Sequence, residues 1–304
     1  RLLAGPMLKR TTSSIRICRF FRLDHVMPLA STVGLLLLLV SFTSPAVIAR
    51  DDAPAHVVSL NLCTDQLAML IAAPGQLHSV SHIALDPRAS AMVAEAGSFH
   101  INHGLAEEIY MMHPDLVLTG SHTRRMTTRM LERLGIAVEV FEPASSLEDV
   151  RVNIMRVGEV LGQQKRAQHL LDDFDSRLAD IRLVKTRRQR AAIYNANGYT
   201  AGRDTLAGRI LVAAGLNNIA VEAGYSKGGV MPLEALVLAA PDLVVTSHPY
   251  PGSSRSEEIL EHPVVQHLQS ASHHATMSDH DWVCGTPYVL RAISRLNALA
   301  GLDE

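Results

Sequence analysis

The chain has 304 residues, with 28 Lys and Arg against 30 Asp and Glu. A formal net charge of −2 offers no basic field for a phosphate backbone, which excludes nucleic acid as a partner. The length allows one large domain or two of ordinary size, each with a core of its own.

Residues 1–49 read as a leader rather than as part of the fold. From Met7 a basic stretch (Lys9, Arg10, Arg16, Arg19, Arg22) leads into the apolar run VGLLLLLV. Pro45 and the small-residue ending Val47-Ile48-Ala49 follow, as at a signal-peptidase site. The run is well short of the roughly 20 residues needed to span a bilayer. A cleavable signal peptide and a periplasmic location are therefore expected. Beyond it only Cys63 and Cys284 remain. An exported protein could pair them, and two free or partly buried thiols are the equal alternative.

From residue 56 strands and helices alternate. HVVSLNL predicts a strand and CTDQLAMLIAA a helix, with Thr64 or Asp65 able to cap it. Pro74-Gly75 turns the chain into a second strand, LHSVSH. EEIYMMHPDLVLT, residues 107–119, then reads as helix, proline stop and buried strand. RMTTRMLERLG predicts a helix stopped by Gly135, and IAVEVF a further strand. Ser145 and Glu148 make a capping box for the helix through Leu161. Residues 163–186 carry Ala167, Leu170, Leu171, Phe174, Leu178 and Ile181 at helical spacing without Gly or Pro, which predicts one long amphipathic helix. The basic residues Lys185, Arg187, Arg188 and Arg190 suit its C-terminal end.

A second series opens with the strand RAAIYNA and the helix DTLAGRILVAAG. EALVLAAPDLVVT, residues 234–246, repeats the first Glu-x6-Pro-Asp-Leu-Val element 127 positions on. PYVLRAISRLNALAG closes the chain as a helix. Alternation of this kind implies parallel sheets. The expected architecture is α/β: two Rossmann-like lobes with parallel sheets joined by one long bridging α-helix. The lobes are placed at 50–162 and 188–304, with the bridge at 163–187.

A leader, twin α/β lobes, a long helix between them and the PDLV element in each lobe resemble the class III periplasmic binding proteins. These are the ABC-importer receptors for vitamin B12, ferric siderophores and haem. The resemblance covers nearly all of residues 56–302. From TAGRDTLAGRILVAAGLNNIA to DWVCGTPYVLRAISRLNAL it is closest to the vitamin B12 branch, except that Ala214 and a cysteine-free last helix stand where that branch has a cysteine pair. The resemblance implies ligand held between the lobes and an ABC transporter permease as partner. It also implies docking through one glutamate per lobe, here Glu107 and Glu234. A monomer without a resident cofactor is expected.

In doubly wound sheets ligands sit beyond the C-terminal ends of the strands. Those ends, and the last strand–helix junction, nominate Asn61, Cys63, His82, His122, Tyr199, His248, Tyr250, Trp282 and Tyr288 as ligand-binding residues. The lone Trp could stack on a flat metal chelate, corrinoid or haem, or fold over the lobe edge instead. No compact metal-ligand motif groups the histidines, so no metal site is assigned. His273, His274 and His280 are read as a hydrated loop. Without G-x-S-x-G, H-E-x-x-H, a P-loop or G-x-G-x-x-G after the first strand, no enzyme is expected. The alternatives are a redox or enzyme subunit relying on Cys63 and Cys284, or a sensory binding module.

Overall fold

The computed structural model describes residues 53–123, 125–183, 189–248, 252 and 254–301. The expected leader lies outside the described residues, as do Tyr250 and the basic residues Lys185, Arg187 and Arg188.

The first half runs β1 (Val57–Ser59), α1 (Leu62–Ile71), β2 (Leu77–Ser81), a short α2 (Val93–Ala96), β3 (His100–Asn102), α3 (Ala106–Met111), β4 (Leu116–Gly120), α4 (Arg125–Arg133), β5 (Ala137–Phe141) and α5 (Leu147–Val160). Its strands pair in parallel in the order β3-β2-β1-β4-β5. The central strands are apolar because both faces are covered: Val57, Val58, Val117 and Leu118 are fully buried. Then comes α6 (Gln164–Leu183), which buries Ala167, Phe174 and Leu178 along one stripe.

The second half runs β6 (Arg190–Ile193), β7 (Tyr199–Thr200), α7 (Leu206–Ala213), β8 (Asn217–Asn218), α8 (Ile219–Glu222), β9 (Gly229–Val230), α9 (Leu233–Ala239), β10 (Leu243–Ser247), α10 (Pro263–Ala271), β11 (His273–Met277) and α11 (Val289–Ala300). Four strands form a second parallel sheet, β11-β10-β6-β8, while β7 and β9 make a small antiparallel ribbon. One apolar cluster reaches from Val57 through Phe174 of α6 to Ile210 and Ile293, so the long helix is packed from both lobes.

Local chemistry moves several expected boundaries. Asn61, not Thr64 or Asp65, caps α1: its side chain accepts the Cys63 amide at 3.0 Å. Thr64 turns inward to Ser59 and Asp65 to Ser81. At α5 the cap is Ser146, whose hydroxyl accepts the Asp149 amide, and Asp149 reaches back to the Ser145 amide. Arg190, expected near the end of the long helix, begins β6 and pairs with Glu222 at 2.6 Å. The stretch read as a hydrated histidine loop contains β11, paired along β10. There His274 Nε2 lies 3.0 Å from Thr246 Oγ1, and burial holds the imidazole below its usual pKa.

The two copies of the repeated element fold alike. In each the helix ends on a non-glycine residue with left-handed backbone, His113 (φ 48°) and Ala240 (φ 44°). The following proline disfavours a right-handed helical residue before it, so the chain leaves the helix this way in both lobes. Ile109 and Leu236, two positions after each glutamate, are fully buried, whereas Glu107 and Glu234 are exposed.

Candidate functional site

Because all strands of each main sheet are parallel, every strand delivers its following residues to one edge. For the N-terminal sheet, in spatial order, that edge carries His103, His82, Asn61 with Cys63, Ser121 with His122, and Glu142. For the C-terminal sheet it carries Ser278 after β11, His248 after β10 and Asn195 after β6.

The two edges are strapped together by the segment between β11 and α11. The His280 amide donates to the Arg88 carbonyl at 3.0 Å, and His280 Nδ1 donates to the Pro87 carbonyl at 3.1 Å. Cys63 is bonded to Cys284, with Cα atoms 5.1 Å apart. The two thiols are therefore joined, and the joint crosses between the lobes. Gly285 lies against Ala144, so close that a Cβ on the glycine would collide with the alanine methyl.

This strap rests on the start of α1 through Cys63 and on Ala144 after β5. The cavity left under it, lined by Asn61, Cys63, His122, Glu142, Val283 and Gly285 among others, holds 80 Å³. Small-molecule sites run to about 300–1,000 Å³, so this cavity is no ligand chamber. A second cavity of 390 Å³ opens beside the end of β10, next to Ser247, His274 and Glu258. The larger hollows, of 930 and 640 Å³, run along α5 and between α6, α7 and α11, away from the strand ends.

His122 is exposed; its Nδ1 lies 3.2 Å from Ser121 Oγ, which donates to Glu142 Oε2 at 2.7 Å. His82 is exposed and stacks on His103, centroids 5.3 Å apart and planes 19° from parallel. Tyr199 is 42% exposed, and its hydroxyl leaves no room for a side chain at Gly228. His248 is exposed, its amide donating to the Met277 carbonyl. Tyr288 is half-buried under the Arg291 guanidinium, 4.4 Å from the ring centre. Burial raises its phenol pKa; Glu95 adds to the rise and Arg291 opposes it. Trp282 is 6% exposed within the apolar core, its indole N–H directed at Asp279 Oδ1 over 3.4 Å. Of these residues the structure gathers Asn61, Cys63 and His122 around one cavity and leaves the others spread along the two edges.

His103 escaped the sequence reading. Its only signal is HINHG, residues 100–104, too short for a periodicity, where Gly104 (φ 69°) ends the strand. Yet it is the most elaborately held histidine of the edge. The His103 amide donates to Glu108 Oε2 at 2.8 Å, and its Nδ1 lies 3.4 Å from Glu108 Oε1. Burial pushes the Glu108 carboxyl up, but these bonds and the Leu105 amide outweigh it and hold the pKa below the usual range. Among the described residues no group of three or more His, Cys, Asp or Glu side chains could hold a metal ion.

The family model for "Periplasmic binding protein" matches residues 57–276, spanning both sheets. The chain belongs to the periplasmic binding protein family. Twin parallel sheets joined by one long helix give this periplasmic binding protein the class III architecture. It is 28% identical over 209 residues to a cobalamin-binding protein of Halobacterium salinarum, covering 67% of this chain but only 56% of that protein. The periplasmic haem-binding protein RhuT of Roseiflexus sp. RS-1 superposes with a TM-score of 0.66 at 18% identity, over 80% of this chain and 97% of that one. An ABC-type Fe3+-hydroxamate transport protein of Saccharomonospora viridis superposes with a TM-score of 0.62 at 18% identity, over 82% and 94%. These two share its fold.

Proposed function

We propose that this periplasmic binding protein is the receptor of an ABC importer, binding a metal chelate between its lobes and handing it to the permease. The lobes are those divided at residues 162 and 188. One observation carries the reading: in a fold of this family, the strand-end edges of the two parallel sheets, tied together through the Cys63–Cys284 bond, carry exposed imidazoles at His82, His103, His122 and His248. Such an edge suits a metal that arrives with its own chelator. Cobalamin, haem and ferric hydroxamate are the ligands named for the relatives above. Delivery runs through Glu107 and Glu234, both exposed and carried on matching helices.

Export through a cleaved leader belongs to the same proposal. The Cys63–Cys284 bond fits an oxidising compartment. Among the described residues no helix is long and apolar enough to cross a membrane. A binding protein changes its ligand's concentration and not its structure, so the ligand should raise the melting temperature by mass action and be recovered intact. A thermal-shift series with cyanocobalamin, haemin and a ferric hydroxamate tests this. A rise with one of them supports the reading; no rise with any, or chemical conversion of the bound compound, overturns it.

A further inference from the structure

Three histidines outside the candidate site form a row at the opposite edge of the N-terminal sheet. His56 immediately precedes β1, His78 is the second residue of β2 and His100 opens β3. Val57 pairs with Leu77 and Ser79 with His100, so parallel register brings the three strand starts side by side. His56 meets His78 edge-on with ring centroids 4.1 Å apart. His78 stacks on His100 at 5.9 Å, with planes 20° from parallel. His78 and His100 are exposed, and His56 is half-buried.

The row is held firmly at the His56 end. Asp115 Oδ2 accepts the Ala55 and His56 amides, each at 2.9 Å, and the Asp115 amide donates to the His56 carbonyl. His56 Nδ1 lies 3.1 Å from the His113 carbonyl oxygen. A carbonyl can only accept, so the proton of the neutral ring sits on Nδ1 and the Nε2 lone pair is left open. Histidines that ligate metals are oriented in this way, by a backbone carbonyl on the other nitrogen. The fold does not require imidazole here. At the matching strand start of the second lobe, where Asp242 accepts the backbone amide, stands Arg190, paired with Glu222.

Metal–nitrogen bonds of about 2.0–2.1 Å put two imidazoles that share an ion about 4.5–5.5 Å apart, centroid to centroid. The spacings of 4.1 and 5.9 Å fall on either side of that range. Among the described residues no three such side chains already surround one point, but rotating the exposed His78 ring away from His56 and toward His100 evens the two gaps. We propose that His78, flanked by His56 and His100, binds a divalent transition-metal cation at the surface, with water completing its coordination. Imidazole selects copper, zinc or nickel over magnesium and calcium. A hydrated ion needs no enclosed chamber, and an exposed row exchanges it directly with solvent. The site lies at the strand starts, the far end of the sheet from the edge that carries His82 and His103, and it does not depend on the chelate-receptor reading.

The full chain, without an affinity tag and stripped with EDTA, should be titrated with Cu2+, the ion that such ligands hold most tightly. One equivalent should bind ahead of any weaker ones, with nitrogen hyperfine structure in its electron paramagnetic resonance spectrum. His78→Ala should abolish that first equivalent, because its ring contacts both neighbours. His169→Ala, exposed on α6, should leave it unchanged. Circular dichroism checks that each variant is folded. Where His78→Ala fails to fold, His100→Ala decides instead: it should weaken the first equivalent, and unchanged affinity overturns the proposal. The proposal is also wrong if the first equivalent lacks nitrogen hyperfine structure, survives in a folded His78→Ala, or is lost equally in His169→Ala. Binding seen only with copper in large excess overturns it as well.

Discussion

Asp115 and Asp242 perform the same task in the two lobes. Asp115 Oδ2 accepts the His56 amide at 2.9 Å while its own amide donates to the His56 carbonyl. Asp242 does the same with Arg190, at 2.8 Å. Each aspartate thus pins the start of the neighbouring strand just before β1 or at β6, and the glutamate eight residues upstream is carried outward on its own helix. The twofold repetition extends past the carboxylates: Met111 and Leu238, each four residues beyond its glutamate, are 70% and 85% exposed.

Docking follows from that repetition. Glu107→Lys and Glu234→Lys should leave folding within about 0.5 kcal/mol of wild type, as exposed substitutions do. Each should weaken association with the permease and flatten its salt dependence, because screening acts on exposed charge pairs. Vesicle uptake with the cognate importer decides the matter. Undiminished transport by the double variant would reduce both residues to ordinary surface carboxylates.

Covalent closure between the lobes should be measurable as stability. Replacing Cys63 and Cys284 together by serine should cost about 2–4 kcal/mol in denaturant unfolding, from the greater freedom of the unfolded chain. Dithiothreitol should shift the wild type by a similar amount and the variant not at all. Equal midpoints for oxidised and reduced wild type would show that the bond is not formed in solution.

Gly285 has no positive φ to explain it; its reason is the Ala144 methyl. Gly285→Ala should therefore cost about 1–3 kcal/mol by overpacking. Ala144→Gly in the same chain should recover most of that loss, and a double-mutant cycle reads the coupling. Additive effects would mean that the strap sits elsewhere.

Asp65 is fully buried on α1, and Ser81 Oγ donates to its Oδ2 at 2.5 Å. Burial raises its pKa from 3.8 to about 6, against the lowering effect of hydrogen bonds from Ser59 and Ser81. The folded state therefore holds the proton more tightly than the unfolded one. The associated stability is complete below about pH 4 and is lost as the pH climbs through about 6. Asp65→Asn can still accept from Ser81 and carries no buried charge. It should stabilise the protein at pH 7.5, by up to about 3 kcal/mol, and have little effect at pH 4. Melting temperatures at both pH values check this; a lower melting temperature for the variant at pH 7.5 would refute it.

The repeated PDLV element disclosed the twin lobes because its signals are local: a proline stop, a β-branched run and a buried residue two after each glutamate. The long helix was legible for the same reason, since Ala167, Phe174 and Leu178 form an uninterrupted stripe. What escaped depends on pairing. β3 has three residues and β11 begins His-His, so neither shows a strand pattern until β2 and β10 supply the other side of the ladder. With β3 hidden, His103 was hidden too. Nor could Trp282 be placed from sequence, because its burial is created by a strap whose course depends on a contact to Cys63, 219 positions earlier.

That strap also orders events in time. Cys63 lies on the first helix and Cys284 just before the last, 221 positions apart. A chain emerging N-terminus first must present the earlier thiol long before its mate arrives. Residues 50–304 contain no third cysteine, so once residues 1–49 are removed, as proposed, no wrong intramolecular bond can form meanwhile and no reshuffling is needed afterwards. The hazard is a thiol on another molecule. For this fold, oxidative assembly is a race between finishing one chain and meeting a second, won by keeping nascent copies dilute.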